Sequence, residues 1–171
     1  ARRRRRAELR RHQADEVRRL LIIERTLHMH DLHNSIRAQR VITPVAVGTT
    51  GTGQTGKIID RQGFRGVEFV CAYGSITATN AVFTVTIKEG DVTGTLTSVA
   101  DSDLLGTELL AGVAAAATRT SGTSKNVVKR VGYRGNKRYV QANIKSTVTA
   151  GTLVSCEALL HSPQLMPTSN P

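Results

Sequence analysis

The sequence predicts an all-β body, an antiparallel β-sandwich or jelly-roll-like barrel, with a basic amphipathic α-helical arm at its amino end. Three observations predict it. From Ile36 onward, apolar and polar residues alternate with a period of two. Glycine-bearing turn signals cut that stretch into short runs. Charge is also lopsided: residues 1–40 hold twelve arginines, no lysine and five acids, whereas residues 41–171 hold twelve Lys+Arg and eight acids. The organisation expected is therefore an arm at 1–40, a β-sandwich domain at 41–161 and an extended tail at 162–171.

The arm opens with Arg2, Arg3, Arg4, Arg5 and Arg6, a block of like charge that repels itself unless a polyanion or acidic surface orders it. Residues 7–30 read as a helix, with no Gly or Pro as far as His33. Val17, Leu20, Ile23 and Leu27 recur at three- and four-residue steps and form one apolar stripe, widened by Leu21 and Ile22. Glu8 with Arg11, and Asp15 with Arg18 or Arg19, can pair across a turn for about 0.2–0.5 kcal/mol each. The stripe suits a protein surface better than a membrane.

Four strands are read from the alternation. Residues 65–73 place Val67, Phe69 and Cys71 on one side. Residues 82–88 turn Phe83, Val85 and Ile87 inward and Thr84, Thr86 and Lys88 outward. Residues 137–145 turn Val140, Ala142 and Ile144 inward, and residues 152–160 supply a further strand. Shorter candidates lie at 41–47, 56–60, 95–100 and 127–133. Between Leu104 and Ala117, alanines favour a helix while Gly106 and Gly112 favour a loop. With 4% aromatics and no Trp in 171 residues, the core must be aliphatic.

Several function classes find little support. No run reaches the roughly 18 apolar residues of a membrane-crossing helix. No signal peptide is expected, because the amino end carries arginine without an apolar stretch and a cleavage site. Cys71 and Cys156 are too few for a disulfide scaffold and are expected to stay reduced, as in a protein made in the cytosol.

Gly51-Thr52-Gly53-Gln54-Thr55-Gly56-Lys57 has the spacing of a phosphate-binding loop, but Ile58-Ile59-Asp60 follow, without the metal-holding hydroxyl or the helix that such a loop needs. A plain Gly/Thr loop is expected. His28, His30 and His33 cluster near Asp31, yet no second cluster completes a metal site. Asp60, Glu68, Asp101 and Asp103 show no spacing that singles out an acid and a base, and no nucleophile-elbow pattern appears. No catalytic residue, metal or cofactor is expected, and the chain is read as a non-enzyme.

The arginines are the strongest physical signal, since a guanidinium keeps its charge and makes forked contacts with phosphate or carboxylate. They fit an acidic protein surface or nonspecific, salt-dependent binding to nucleic acid. The low aromatic content argues against base stacking on single strands.

From Met29 the sequence resembles a family of small virion proteins of tailed bacteriophages and prophages. The resemblance rests on Met29-His30-Asp31-Leu32-His33-Asn34-Ser35-Ile36, on Pro44-Val45-Ala46-Val47-Gly48-Thr49-Thr50, and on Ile59-Asp60-Arg61-Gln62-Gly63-Phe64 with Val67-Glu68-Phe69-Val70. It continues through Asp103-Leu104-Leu105-Gly106-Thr107-Glu108, Lys129-Arg130-Val131-Gly132-Tyr133-Arg134-Gly135-Asn136-Lys137-Arg138-Tyr139-Val140 and Leu160-His161-Ser162-Pro163. Family chains begin near Met29, so the 28 residues before it lie outside the resemblance.

The resemblance implies a non-enzymatic structural protein of the phage head, made in the host bacterial cytoplasm. It implies a decoration or cement protein beside the major capsid protein. An isolated helix stripe and exposed β-edges both want partners, so the chain is expected to act as a homo-oligomer or as lattice-bound copies. Under that expectation Arg2, Arg3, Arg4, Arg5, Arg6, Arg10, Arg11, Arg18 and Arg19 form the electrostatic docking surface, and Val17, Leu20, Ile23 and Leu27 the apolar anchor. The alternative is an internal or portal-proximal virion protein whose arginines contact packaged DNA.

Overall fold

The structure, a computed structural model, describes residues 32–47, 53–116, 118, 120–121, 125–148, 152–165 and 168. In chain order they form a helical turn α1 (Leu32–Ser35), β1 (Ile36–Ala46), β2 (Gln54–Thr55), β3 (Ile59–Asp60), β4 (Phe64–Tyr73), β5 (Phe83–Gly90) and β6 (Thr97–Ser98). A 3-10 turn (Asp101–Asp103), β7 (Leu104–Leu105), a short helix α2 (Glu108–Ala111), β8 (Val128–Tyr133), β9 (Tyr139–Ser146) and β10 (Leu153–Pro163) follow. The strands pair antiparallel in two sheets. The first runs β1-β10-β4-β8-β7, and the second β2-β9-β5-β6 with β3 also on β9. No helix among the described residues is long and apolar enough to cross a membrane.

The alternation read from the sequence is what builds the core. Val67, Phe69, Cys71 and Tyr73 of β4 are buried, as are Phe83, Val85 and Ile87 of β5, Val140, Ala142 and Ile144 of β9, and Val154, Cys156, Ala158 and Leu160 of β10. These side chains from both sheets form one largely aliphatic cluster. Tyr73 and Phe83 join the sheets edge to face, with ring centroids 5.4 Å apart.

Two cross-links close the sides. On one, β1 is bulged between Arg40 and Ile42, and its Val41 carbonyl accepts the Lys57 amide at 2.9 Å while the neighbouring Gly56 amide donates to Ala142 of β9 at 3.1 Å. On the other, Val113 exchanges both backbone hydrogen bonds with Phe83 at 2.9 Å, and the Tyr73 hydroxyl donates to the Ala111 carbonyl at 2.8 Å. The ambiguous segment 104–117 is thus, in its described part, a two-residue strand, one helical turn and a bridge. Thr107 caps that turn by accepting the Leu110 amide at 3.1 Å. The Glu108 carboxylate takes the Ile87 amide, at a point on β5 that β6 does not reach.

The sheet begins earlier than the expected boundary at residue 40. Ile36 to Arg40 find ladder partners from His161 to Glu157 on β10, so residues 36–40 belong to β1 and not to the arm. Likewise β10 continues to Pro163, and Thr168 hydroxyl hydrogen bonds to the Asn34 and Ile36 carbonyls tie the tail to the start of β1. Arm residues 1–31 lie outside the described residues.

Candidate interaction face

The two sheets differ in what they turn outward. An antiparallel sheet with one wet face reads apolar-in, polar-out, and the second sheet obeys. Its outer face pairs Thr84 with Lys145, Thr86 with Asn143 and Lys88 with Gln141. Two of these polar side chains also hold the Gly56 backbone. Gln141 Nε2 donates to the Gly56 carbonyl at 2.8 Å, and Asn143 Oδ1 accepts the Gly56 amide at 3.3 Å.

The first sheet does not obey. Between its buried core positions, β4 and β10 turn out Val70, Ala72, Leu153 and Leu159, and Val128 of β8 and Leu105 of β7 extend the same face. Val128 is 63% exposed, Leu153 59% and Leu105 47%. Four charges cross this apolar field. Arg40 stands opposite Glu157, and Arg130 lies 3.6 Å from Glu68.

Two glycines keep the face flat. Gly66 on β4 stands opposite His161 on β10, and a Cβ there would strike the imidazole. Gly132 on β8 lies between Glu68 and Leu105, and a Cβ there would strike the Glu68 carboxylate. At the rim, an open cleft of about 390 Å³ is lined by Leu32, Ile36, Arg65, His161 and Pro163, among others. Ile36 and His161 share the outward side, so α1 reaches the first sheet on its outer face.

The loop end of the body carries charge that is already matched. Arg138 forks onto Asp60, with Nη2 to Oδ2 at 2.7 Å and Nε to Oδ1 at 3.1 Å, and this bond holds the Asp60 carboxyl below the usual carboxylate range. Lys137 meets Asp91 at 2.7 Å. The Tyr133 hydroxyl donates to the Glu89 carboxylate and accepts the Lys137 amide at 3.0 Å, while the Arg61 guanidinium lies 5.1 Å from the ring centroid. Burial, then the Glu89 bond, pushes the Tyr133 hydroxyl up.

The docking arginines Arg2, Arg3, Arg4, Arg5, Arg6, Arg10, Arg11, Arg18 and Arg19, and the anchor residues Val17, Leu20, Ile23 and Leu27, lie outside the described residues. Of the histidine cluster only His33 is described, in α1. Among the described residues no group of three His, Cys, Asp or Glu could hold a metal ion. The glycine-lysine spacing at 51–57 does not form a phosphate cradle in its described part: Gln54 and Thr55 are a strand, and the Gly56 and Lys57 amides are bonded within the sheets. Of the four carboxylates considered, Asp60 and Glu68 are each committed to an arginine.

The alternation alone does not predict the apolar outer face. Its signal is present, because Val67 to Tyr73 and Leu153 to Leu160 are nearly continuous apolar runs, the pattern of strands covered on both sides.

No family model matches the chain, and no curated protein matches it. Among solved structures, the SPBc2 prophage-derived protein YomS is 10% identical with TM-score 0.42, over 74% of this chain and 93% of that one. The CBM22-1–GH10 modules of Clostridium thermocellum xylanase 10B are 9% identical with TM-score 0.42, over 81% of this chain and 28% of that one. Bacillus endospore appendages are 15% identical with TM-score 0.33, over 75% and 89%. Likenesses at this level assign neither a family nor a function.

Proposed function

We infer that this chain is a non-enzymatic structural protein of a phage virion, a decoration protein that binds the major capsid lattice through its basic arm. The observation that carries this reading is the contrast between the two outer faces, one polar and one apolar, with the chain that follows the arginine-rich segment reaching the rim of the apolar face at Leu32. Contiguous exposed apolar surface marks an interaction site. An arginine block beside it adds long-range attraction to an anionic assembly. Repetition over a lattice turns weak single contacts into tight attachment.

The test compares the full chain with one lacking residues 1–28 on phage heads stripped of this protein. The full chain is expected to sediment with heads, with occupancy falling as salt rises, and the shortened chain to stay free while keeping its β-sheet circular dichroism. Full occupancy by the shortened chain in moderate salt would overturn the reading. Protease added to intact heads separates it from the packaged-DNA alternative, in which the arm is cut only after the head opens.

A further inference from the structure

We propose that Val17, Leu20, Ile23 and Leu27 seat on the outer face of the first sheet of their own chain, over Val70 and Leu159, leaving the arginine tract ahead of them to face a partner. This does not rest on the virion reading but narrows it: the apolar stripe and the apolar face are then joined within one chain, and attachment to a lattice falls to the arginine tract.

Three observations converge on that occupant. The first is where the chain comes from. Residues 1–31 precede Leu32, and Leu32 lies beside Ile36 and His161 on the outer side of the sheet. The second is reach. Four residues separate Leu27 from Leu32, and five extended steps span at most about 17 Å. Leu159 lies only two residues from His161 along β10, about 7 Å.

The third is size. From β1 to β7 the face is four strand spacings wide, about 19 Å. The stripe from Val17 to Leu27 is about 15 Å long as a helix. From Leu153 to Leu159 the face runs about 20 Å, which gives an area of about 400 Å², well under the roughly 800 Å² per partner of a standard protein interface. One helix covers such a patch, whereas a second copy needs more surface than it offers.

The test is thiol reactivity of the isolated chain, with no phage component present. Val70→Cys places a thiol at the centre of the face, and Leu159→Cys is a second reporter should the first disturb folding. Cys71 and Cys156 are both fully buried. A bulky thiol reagent is expected to react at least roughly tenfold more slowly with the full chain than with the chain lacking residues 1–28. Replacing Val17, Leu20, Ile23 and Leu27 together by Ser should release the protection. Replacing Arg2 to Arg6 by Gln should leave it intact.

Equal rates in the full and shortened chains would overturn the proposal. So would protection that disappears on dilution, which would assign the face to a second copy. Because no capsid is involved, failure here leaves the lattice reading standing, and failure of head binding leaves this proposal standing.

Discussion

Cys71 and Cys156 face each other directly across β4 and β10, their sulfurs 3.3 Å apart and neither residue exposed. Gly74 and Leu153 share a backbone hydrogen bond at the end of the same ladder. Hydrogen-bonded pairs recur at every second residue from there, so the cysteines fall at a non-hydrogen-bonded pair, where side chains approach most closely. The bond from Cys71, then burial, pushes the Cys156 thiol up, and the thiolate is the reactive form. Neither thiol should react with an alkylating reagent at neutral pH while the chain is folded, and both should react in denaturant. Mass spectrometry after timed alkylation checks this, and rapid labelling of either cysteine in the folded chain would contradict the packing.

The period of two can be tested by contrast. Phe69 is fully buried, and Phe69→Ala should cost about 3–5 kcal/mol. Thr84 lies on the polar outer face of the second sheet and is exposed, and Thr84→Ala should stay within about 0.5 kcal/mol. Urea unfolding midpoints at unchanged slope measure both. Equal costs would mean that the strand faces are misassigned.

That contrast also shows what the sequence made legible. Phe83, Val85 and Ile87 alternate with threonines and a lysine, so their burial could be read directly. Val70, Ala72 and Leu159 could not be assigned in the same way. Their neighbours are also apolar, and a run without alternation does not say which side is the core. The start of β1 was hidden for another reason: Arg37, Gln39 and Arg40 look like arm residues, and only pairing with β10, more than a hundred residues away, makes them a strand. The bonding of Gly56 and Lys57 into the sheets depends on Val41 and Ala142, which no local motif reveals.

Gly56 sits where β1 and β9 come together, and a Cβ there would strike the Ala142 carbonyl and the Val41 side chain. Gly56→Ala should therefore destabilise by about 1–3 kcal/mol, the cost of overpacking a tight contact. Thermal or urea unfolding checks it. Because the Gly56 and Lys57 amides are already bonded, added nucleotide should not raise the melting temperature of the unaltered chain.

Glu108 holds an otherwise open amide at the edge of β5 by accepting from Ile87. Glu108→Ala should cost about 1.5–3 kcal/mol, the range for a hydrogen bond to a charged group. Amide exchange at Ile87 should also quicken relative to Val85. Unchanged exchange at Ile87 would show that something else covers this edge.

Tyr133 supplies the pH dependence. Its hydroxyl is pushed up by burial and by donation to Glu89, and Tyr73 is pushed up mainly by burial. A folded value above the unfolded one, about 10 for tyrosine, means the stabilisation is whole below that pH and is lost as pH rises toward the folded value. Stability should therefore fall once pH exceeds about 10. Below that pH, Tyr133→Phe should be less stable by about 1–3 kcal/mol, because the Glu89 carboxylate and the Lys137 amide each lose a partner. Above it the gap should narrow, since only the unaltered chain has a hydroxyl at this position whose ionisation favours the unfolded state. Urea midpoints of both proteins across the alkaline range measure the gap, and a constant or widening difference would rule out Tyr133 as a source of the alkaline loss.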